Sequence, residues 1–250
     1  MAARGRDDGA DPSWLASVML VLAAPFGLPE ARAADPKALL AAIDAAARAR
    51  VVVRADGELE RPDGPPLPIL LVRRGTAVYL EAGDGTRALL KPGKAVMAVG
   101  GIPQRVPPAT VLANTDVLFE DLAPFTTRRL VMPQVSDDGP VGVAVTGEPR
   151  APTAYALLVV TVDPERAAVV RAKYYVGSVT NLVKMRRDRE LVDVGGRSWP
   201  DEITVEHFRP PRTTRLRLAW REAPELRIGL ATLRGPGLLG AGGPATAPAR

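Results

Sequence analysis

ILLVRRGTAVYLEAGDGTRALLKPGKAVMAV, Ile69–Val99, is the stretch that decides the fold. Four short runs, Ile69–Val72, Thr76–Glu81, Arg87–Leu90 and Ala95–Val99, are separated by Arg74-Gly75, Gly83-Asp84-Gly85 and Pro92-Gly93. Side chains alternate faces along a strand, and glycine supplies the positive φ that tight hairpin turns require. Strand follows strand with no length left for a helical crossover. The stretch predicts an antiparallel meander and argues against a parallel α/β sheet.

Upstream, Val51-Val52-Val53-Arg54 reads as a first strand, set off by the loop Arg61–Pro66. Before it, Asp35 is a natural N-cap and Pro36 a natural first helical residue. Leu39, Leu40, Ile43, Ala46 and Ala47 then recur at helical spacing as one apolar stripe. Downstream, Gly100–Thr110 is rich in Pro and Gly and reads as loop, and Asn114–Leu122 predicts one short helix stopped by Pro124. Asp137–Pro140 reads as another loop, followed by a continuous apolar run, Ala154–Val162, predicted to be buried on both faces. Ala168–Tyr175 alternates. Val179–Met185 and Glu190–Val194 read as a hairpin around a basic tip, Arg186-Arg187-Asp188-Arg189, with Ile203–Glu206 and Arg215–Leu218 as later strands. The expected class is mainly β (α+β), an antiparallel half-barrel of about ten strands covered by two or three helices.

At the N-terminus, Arg4 and Arg6 precede the apolar run Trp14–Ala24, and Ala31-Arg32-Ala33 supplies an A-x-A cleavage site. This order predicts a signal peptide over 1–33, a folded domain over 34–234 and a disordered tail over 235–250. The expected location is the periplasm.

The 250 residues carry a net charge of +5 with no block of like charges, and no nucleic-acid partner is expected. There is no cysteine and one histidine, His207, so thiolate chemistry and the usual zinc, haem and copper ligand sets are missing. No G-x-S-x-G elbow accompanies His207. Glu120 and Asp121 are neighbours on a predicted helix and diverge by about 100°, so they do not converge as an acid–base pair. Asp121 is instead expected to cap the local backbone or pair with a cation. Gly235-x-Gly237-x-x-Gly240 matches a dinucleotide pattern but opens no helix within a βαβ unit. No catalytic residue, metal or cofactor is expected. The basic tip at 186–189 reads as a solvated turn, or as a contact for anionic lipid or an acidic partner.

Lys91-Pro92, Gly101-Ile102-Pro103 and then Thr115-Asp116-Val117-Leu118-Phe119-Glu120-Asp121-Leu122 resemble the outer-membrane lipoprotein-sorting family related to the carrier LolA. Tyr174-Tyr175, Lys184, Val194-Gly195-Gly196, Pro200 and Thr213–Leu216 follow in the order that family shows. Its most specific part is Thr115, Asp116, Glu120, Asp121 and Leu122. Asn114 departs from the pattern where the family often has Gly, and Arg87–Leu90 lacks the usual Trp and Tyr. The resemblance implies a half-open barrel whose hydrophobic concavity holds acyl chains. From strand alternation, the candidate wall residues are Val53, Leu70, Val72, Val78, Leu80, Leu89, Met97, Phe119, Leu122, Leu158 and Val160. The implied function is carriage of a lipid or acylated lipoprotein, with an inner-membrane exporter, an outer-membrane acceptor or peripheral membrane contact as partners. The alternative is a non-catalytic envelope scaffold or sensor that binds a protein.

Overall fold

The computed structural model describes residues 35–239. The expected signal peptide and residues 240–250 lie outside the described residues. Helix α1 spans Pro36–Arg48, and the Asp35 side chain accepts from the Lys37 amide at 3.0 Å as the N-cap. Its stripe buries Leu39, Ile43 and Ala47.

Six strands follow: β1 (Val52–Glu60), β2 (Leu67–Arg74), β3 (Ala77–Ala82), β4 (Arg87–Lys91), β5 (Lys94–Val99) and β6 (Ile102–Val106). After a connection containing the one-turn helix α2 (Phe119–Leu122), seven more complete the sheet. They are β7 (Leu130–Asp137), β8 (Val143–Pro149), β9 (Leu157–Asp163), β10 (Ala168–Tyr175), β11 (Leu182–Val194), β12 (Arg197–Phe208) and β13 (Pro211–Glu222). A short helix, α3 (Leu230–Arg234), follows the sheet. All thirteen strands form one antiparallel sheet in the order β6-β5-β4-β3-β2-β1-β13-β12-β11-β10-β9-β8-β7. Two meanders are joined where β1 pairs with β13, and the sheet stays open, with β6 and β7 at its edges.

That order dictates what covers the sheet. The chain leaves at one edge, β6, and must re-enter at the opposite edge, β7, so residues 107–129 cross a face of the sheet. Directly paired residues share a face, and the registers trace this inner face strand by strand. Met97, Ala88, Leu80, Leu71, Ala55 and Trp220 form one row across it. Ala95, Leu90, Val78, Arg73 and Val53 form a second. In the other half, Val205, Arg186, Ala172, Val160 and Val145 form a third. Leu112, Val117, Phe119 and Leu122 of the crossing connection pack on β1–β5, β12 and β13, and α1 packs on β7–β10. At Gly57, β1 and β13 approach too closely for a side chain: a Cβ there would lie 1.9 Å from the Arg217 carbonyl oxygen.

Four sequence expectations change. The helix over 114–122 shrinks to α2, because Ala113 and Asn114 take positive φ (47° and 58°) and Thr115 Oγ1 ties the chain into a turn with Leu112 and Val117. Asn tolerates this left-handed conformation better than most residues, which accounts for its standing where the family often has Gly. The Pro- and Gly-rich segment at 100–110 contributes the edge strand β6, Pro being compatible with edge strands, and residues 130–149 add β7 and β8 around the loop at 137–140. In the run at 154–162, only Tyr155 and Val160–Val162 are buried. Lastly, the basic tip at 186–189 is no turn: it is the middle of the thirteen-residue strand β11.

The first residues of the tail are also placed. Leu233, Leu238 and Leu239 pack on the outer face of β2–β5. Glu81 accepts from the Leu238 and Leu239 amides at 2.6 and 3.1 Å, and Arg87 donates to the Gly235 carbonyl at 2.5 Å. Residues 235–239 are therefore seated on the sheet.

Candidate functional site

A cavity of about 130 Å³ lies on the inner face, between the crossing connection, α1 and strands β9–β12. Its apolar wall comes from Ile43, Leu122, Phe125, Leu158, Val160 and Val169, and charged groups complete it: Arg73, Glu120, Asp121, Arg129, Arg186, Asp188 and Arg197. A dry cavity of similar size elsewhere holds one benzene ring, and small-molecule pockets run to roughly 300–1,000 Å³. In this state the space admits a small group, not a whole acyl chain.

The residues of the Thr115…Leu122 motif act as fasteners for the crossing connection. Asp121, 2% exposed, accepts from the Leu118 amide (2.7 Å), Lys184 Nζ (2.6 Å) and the Tyr155 hydroxyl (2.5 Å). Lys184, 3% exposed, also donates to the Asp116 carbonyl at 3.0 Å. The Asp116 carboxylate has a buried oxygen with no partner among the described residues. Glu120 turns the other way, accepting from Thr153 Oγ1 (2.8 Å) and the Ala154 amide (2.9 Å). Burial pushes its carboxyl above the usual range, opposed by those two hydrogen bonds. The divergence expected of adjacent helical acids is what lets each clamp a different neighbour.

Beneath them, β11 projects Lys184, Arg186 and Asp188 onto the inner face. Asp188 takes both hydrogen bonds of the Arg186 fork at 2.6 Å, and Arg186 also donates to the Asp121 carbonyl. Burial works against the Arg186 charge, but Asp188 outweighs it and holds the guanidinium pKa above its ordinary value. Burial raises the Tyr155 and Tyr174 hydroxyls well above the tyrosine range, with Asp121 adding to both. Their rings meet at 4.7 Å with Lys184 over each.

Trp199 and Trp220 stack at 5.0 Å on the same face, their indole N–H groups donating to the Val194 and Pro200 carbonyls. Arg73 and Arg197 lie over the Trp199 ring at 4.8 and 5.1 Å. Burial, with repulsion from Arg197 and Arg186, lowers the Arg73 pKa to about 9, opposed by Asp188. Burial also lowers that of Arg197.

Of the wall candidates, Leu122, Leu158 and Val160 line the cavity. Val53, Val78, Leu80 and Met97 share the inner face, and Phe119 packs on it, within a filled core. Leu70, Val72 and Leu89 sit on the opposite face, packed with Leu233. Ile69–Val72 and Ala88–Leu90 are apolar on both faces, so alternation cannot choose between them. In the charged half, Asp121 both caps the local backbone and pairs with a cation, as its position predicts, whereas the inward row of β11 and the roles of Arg73 and Arg197 were not read. The signal for that row was the alternation of Lys184, Arg186 and Asp188, hidden by reading dense charge as a turn. His207 lies outside the cavity, its Nδ1 3.1 Å from the Pro210 carbonyl. Among the described residues no group of three or more His, Asp or Glu side chains is placed to hold a metal ion.

No family model and no curated protein matches the chain at the sequence level. Solved structures do match. A LolA superfamily protein from Nitrosomonas europaea superposes with a TM-score of 0.57 at 17% identity, over 75% of this chain and 93% of its own. A domain named for outer membrane lipoprotein sorting, from Vibrio parahaemolyticus, gives 0.64 at 11% identity, over 76% and 93%. A DUF1329 family protein from Desulfovibrio piger gives 0.59 at 15% identity, over 76% and 94%. The open antiparallel sheet is thus that of a LolA-like fold.

Proposed function

We propose that this protein is a non-catalytic carrier working outside the cytoplasm, shielding the acyl chain of a lipid or acylated lipoprotein between the sheet and its crossing connection. The observation that carries this reading is an apolar inner face covered by one connection, with a cavity left beneath it at Leu122, Phe125, Leu158 and Val160. A second packed sheet or helical layer would have closed that space. Each buried CH₂ contributes about 0.8 kcal/mol, so a chain of some 14 carbons would bring on the order of 10 kcal/mol. That gain opposes the cost of lifting residues 107–125 from the sheet to enlarge the cavity. The sorting protein among the structural neighbours supports the same reading. The N-terminal order of Arg4, Arg6, an apolar run and Ala31-Arg32-Ala33 supports the periplasmic location. No described helix is long and apolar enough to cross a membrane.

Native mass spectrometry of protein purified from its own envelope tests the proposal. Co-purifying lipid or acylated peptide is the expected result. A mass equal to the bare polypeptide, unchanged after incubation with that envelope's lipid extract, would overturn it.

A further inference from the structure

The cavity's charges do not balance. Three described carboxylates line it, and each is committed: Asp121 to Lys184, Tyr155 and the Leu118 amide, Asp188 to both arms of Arg186, and Glu120 to Thr153 and the Ala154 amide. Arg73, Arg129 and Arg197 remain; Arg129 lies near Glu120 and donates to the Pro152 carbonyl at 3.4 Å, which leaves Arg73 and Arg197. Neither is paired with a described carboxylate; Arg73 reaches only the Gly75 carbonyl, at 3.4 Å, and both rest over Trp199. Both are half-buried. Two like charges held together out of bulk water repel each other, and a cation–π contact returns only about 0.5–1 kcal/mol at such sites. The indole N–H of Trp199 is already spent, so the ring is a fixed platform, and beyond the Arg73–Gly75 contact the guanidinium donors have no described hydrogen-bond acceptor.

Resting on the carrier reading, we propose that Arg73 and Arg197 form the headgroup site of the cavity and bind the phosphate of an anionic amphiphile whose tail lies along Leu122, Phe125, Leu158 and Val160. A phosphate monoester carries about −1.5 to −2 charges at neutral pH, which matches two uncompensated guanidiniums. Arginine forks also fit phosphate oxygens in bidentate fashion. The apolar wall and the cationic pair line one space, so one ligand satisfies both.

Isothermal titration below the micellar concentration tests this with three probes: dodecyl phosphate, the uncharged monolauroylglycerol, and inorganic phosphate. Dodecyl phosphate is expected to bind at least about tenfold more tightly than the neutral lipid, the scale of a lost charge-assisted hydrogen bond. The R73Q/R197Q double variant should lose that preference and keep neutral-lipid binding, and R73K/R197K should restore part of it. Equal binding of the two lipids to the parent protein overturns the headgroup site and leaves the carrier reading standing. An unchanged preference in the double variant does the same. If neither lipid binds, the carrier reading falls with it. Inorganic phosphate binding as tightly as dodecyl phosphate, and lost in the double variant, keeps the anion site but makes free phosphate its ligand. The comparison on the parent protein decides the matter even if a variant fails to fold.

Discussion

Asp121 shows how much one buried carboxylate can organise. It caps α2, neutralises Lys184 and orients Tyr155, three contacts that otherwise have no reason to converge. Removing one partner of a buried ion pair leaves an uncompensated charge and costs about 3–5 kcal/mol. D121A should lower the unfolding free energy by that amount in urea denaturation. D121A combined with K184M should recover part of the loss, because the stranded ammonium is then gone. Tyr155 and Tyr174 set an alkaline limit. Their folded pKa values lie above the ordinary tyrosine value near 10, chiefly through burial and then Asp121. The stability they contribute is fully present below the unfolded pKa and is lost as pH rises towards the folded one. Thermal midpoints should therefore hold to about pH 9 and fall above about pH 10, with Y174F, which keeps the ring and removes the ionisable hydroxyl, falling less.

At the scale of elements, β11 and the C-terminal segment were the hardest to read. A turn and a strand with charged inner residues both appear in sequence as a polar interruption. They are told apart only by whether every second residue finds a partner across the sheet. Here Arg186 and Asp188, two apart and so on one face, satisfy each other. The Gly-rich segment beyond Arg234 resembles a linker in composition, yet Gly237 passes so close to Glu81 that a Cβ would lie 1.8 Å from its carboxylate oxygen. G237A should unseat residues 235–239, exposing the Leu238 and Leu239 amides to hydrogen exchange. Loss of the two hydrogen bonds to Glu81 should cost about 1–3 kcal/mol. Exchange rates at those amides unchanged from the parent would contradict the seating. By contrast α1 was legible throughout, since cap, first-turn proline and apolar stripe all act locally.

For the whole molecule, an open thirteen-stranded sheet has two edges to protect, and each carries a proline: Pro103 in β6 and Pro133 in β7. At β7 a bulge between Val131 and Gln134 and a positive φ at Met132 distort the edge further. Edges blunted in this way resist strand addition. P133V should increase concentration-dependent association, read by light scattering against the parent at equal concentration. An unchanged scattering curve would show that the bulge suffices.

The sequence by itself determined the helix at Pro36–Arg48, the antiparallel meander over Ile69–Val99 and the LolA-like class. Each rests on short-range rules: capping, period-two alternation, turn glycines and a local motif. Only the tertiary structure decided which side of the sheet is inner, because runs such as Ile69–Val72 are apolar on both sides and their orientation is set by where residues 107–129 cross. It also decided that Arg73, Arg186 and Arg197 share one cavity. Those residues are brought together by strand pairing across more than a hundred positions of chain, and charge read along a sequence carries no information about which charges meet.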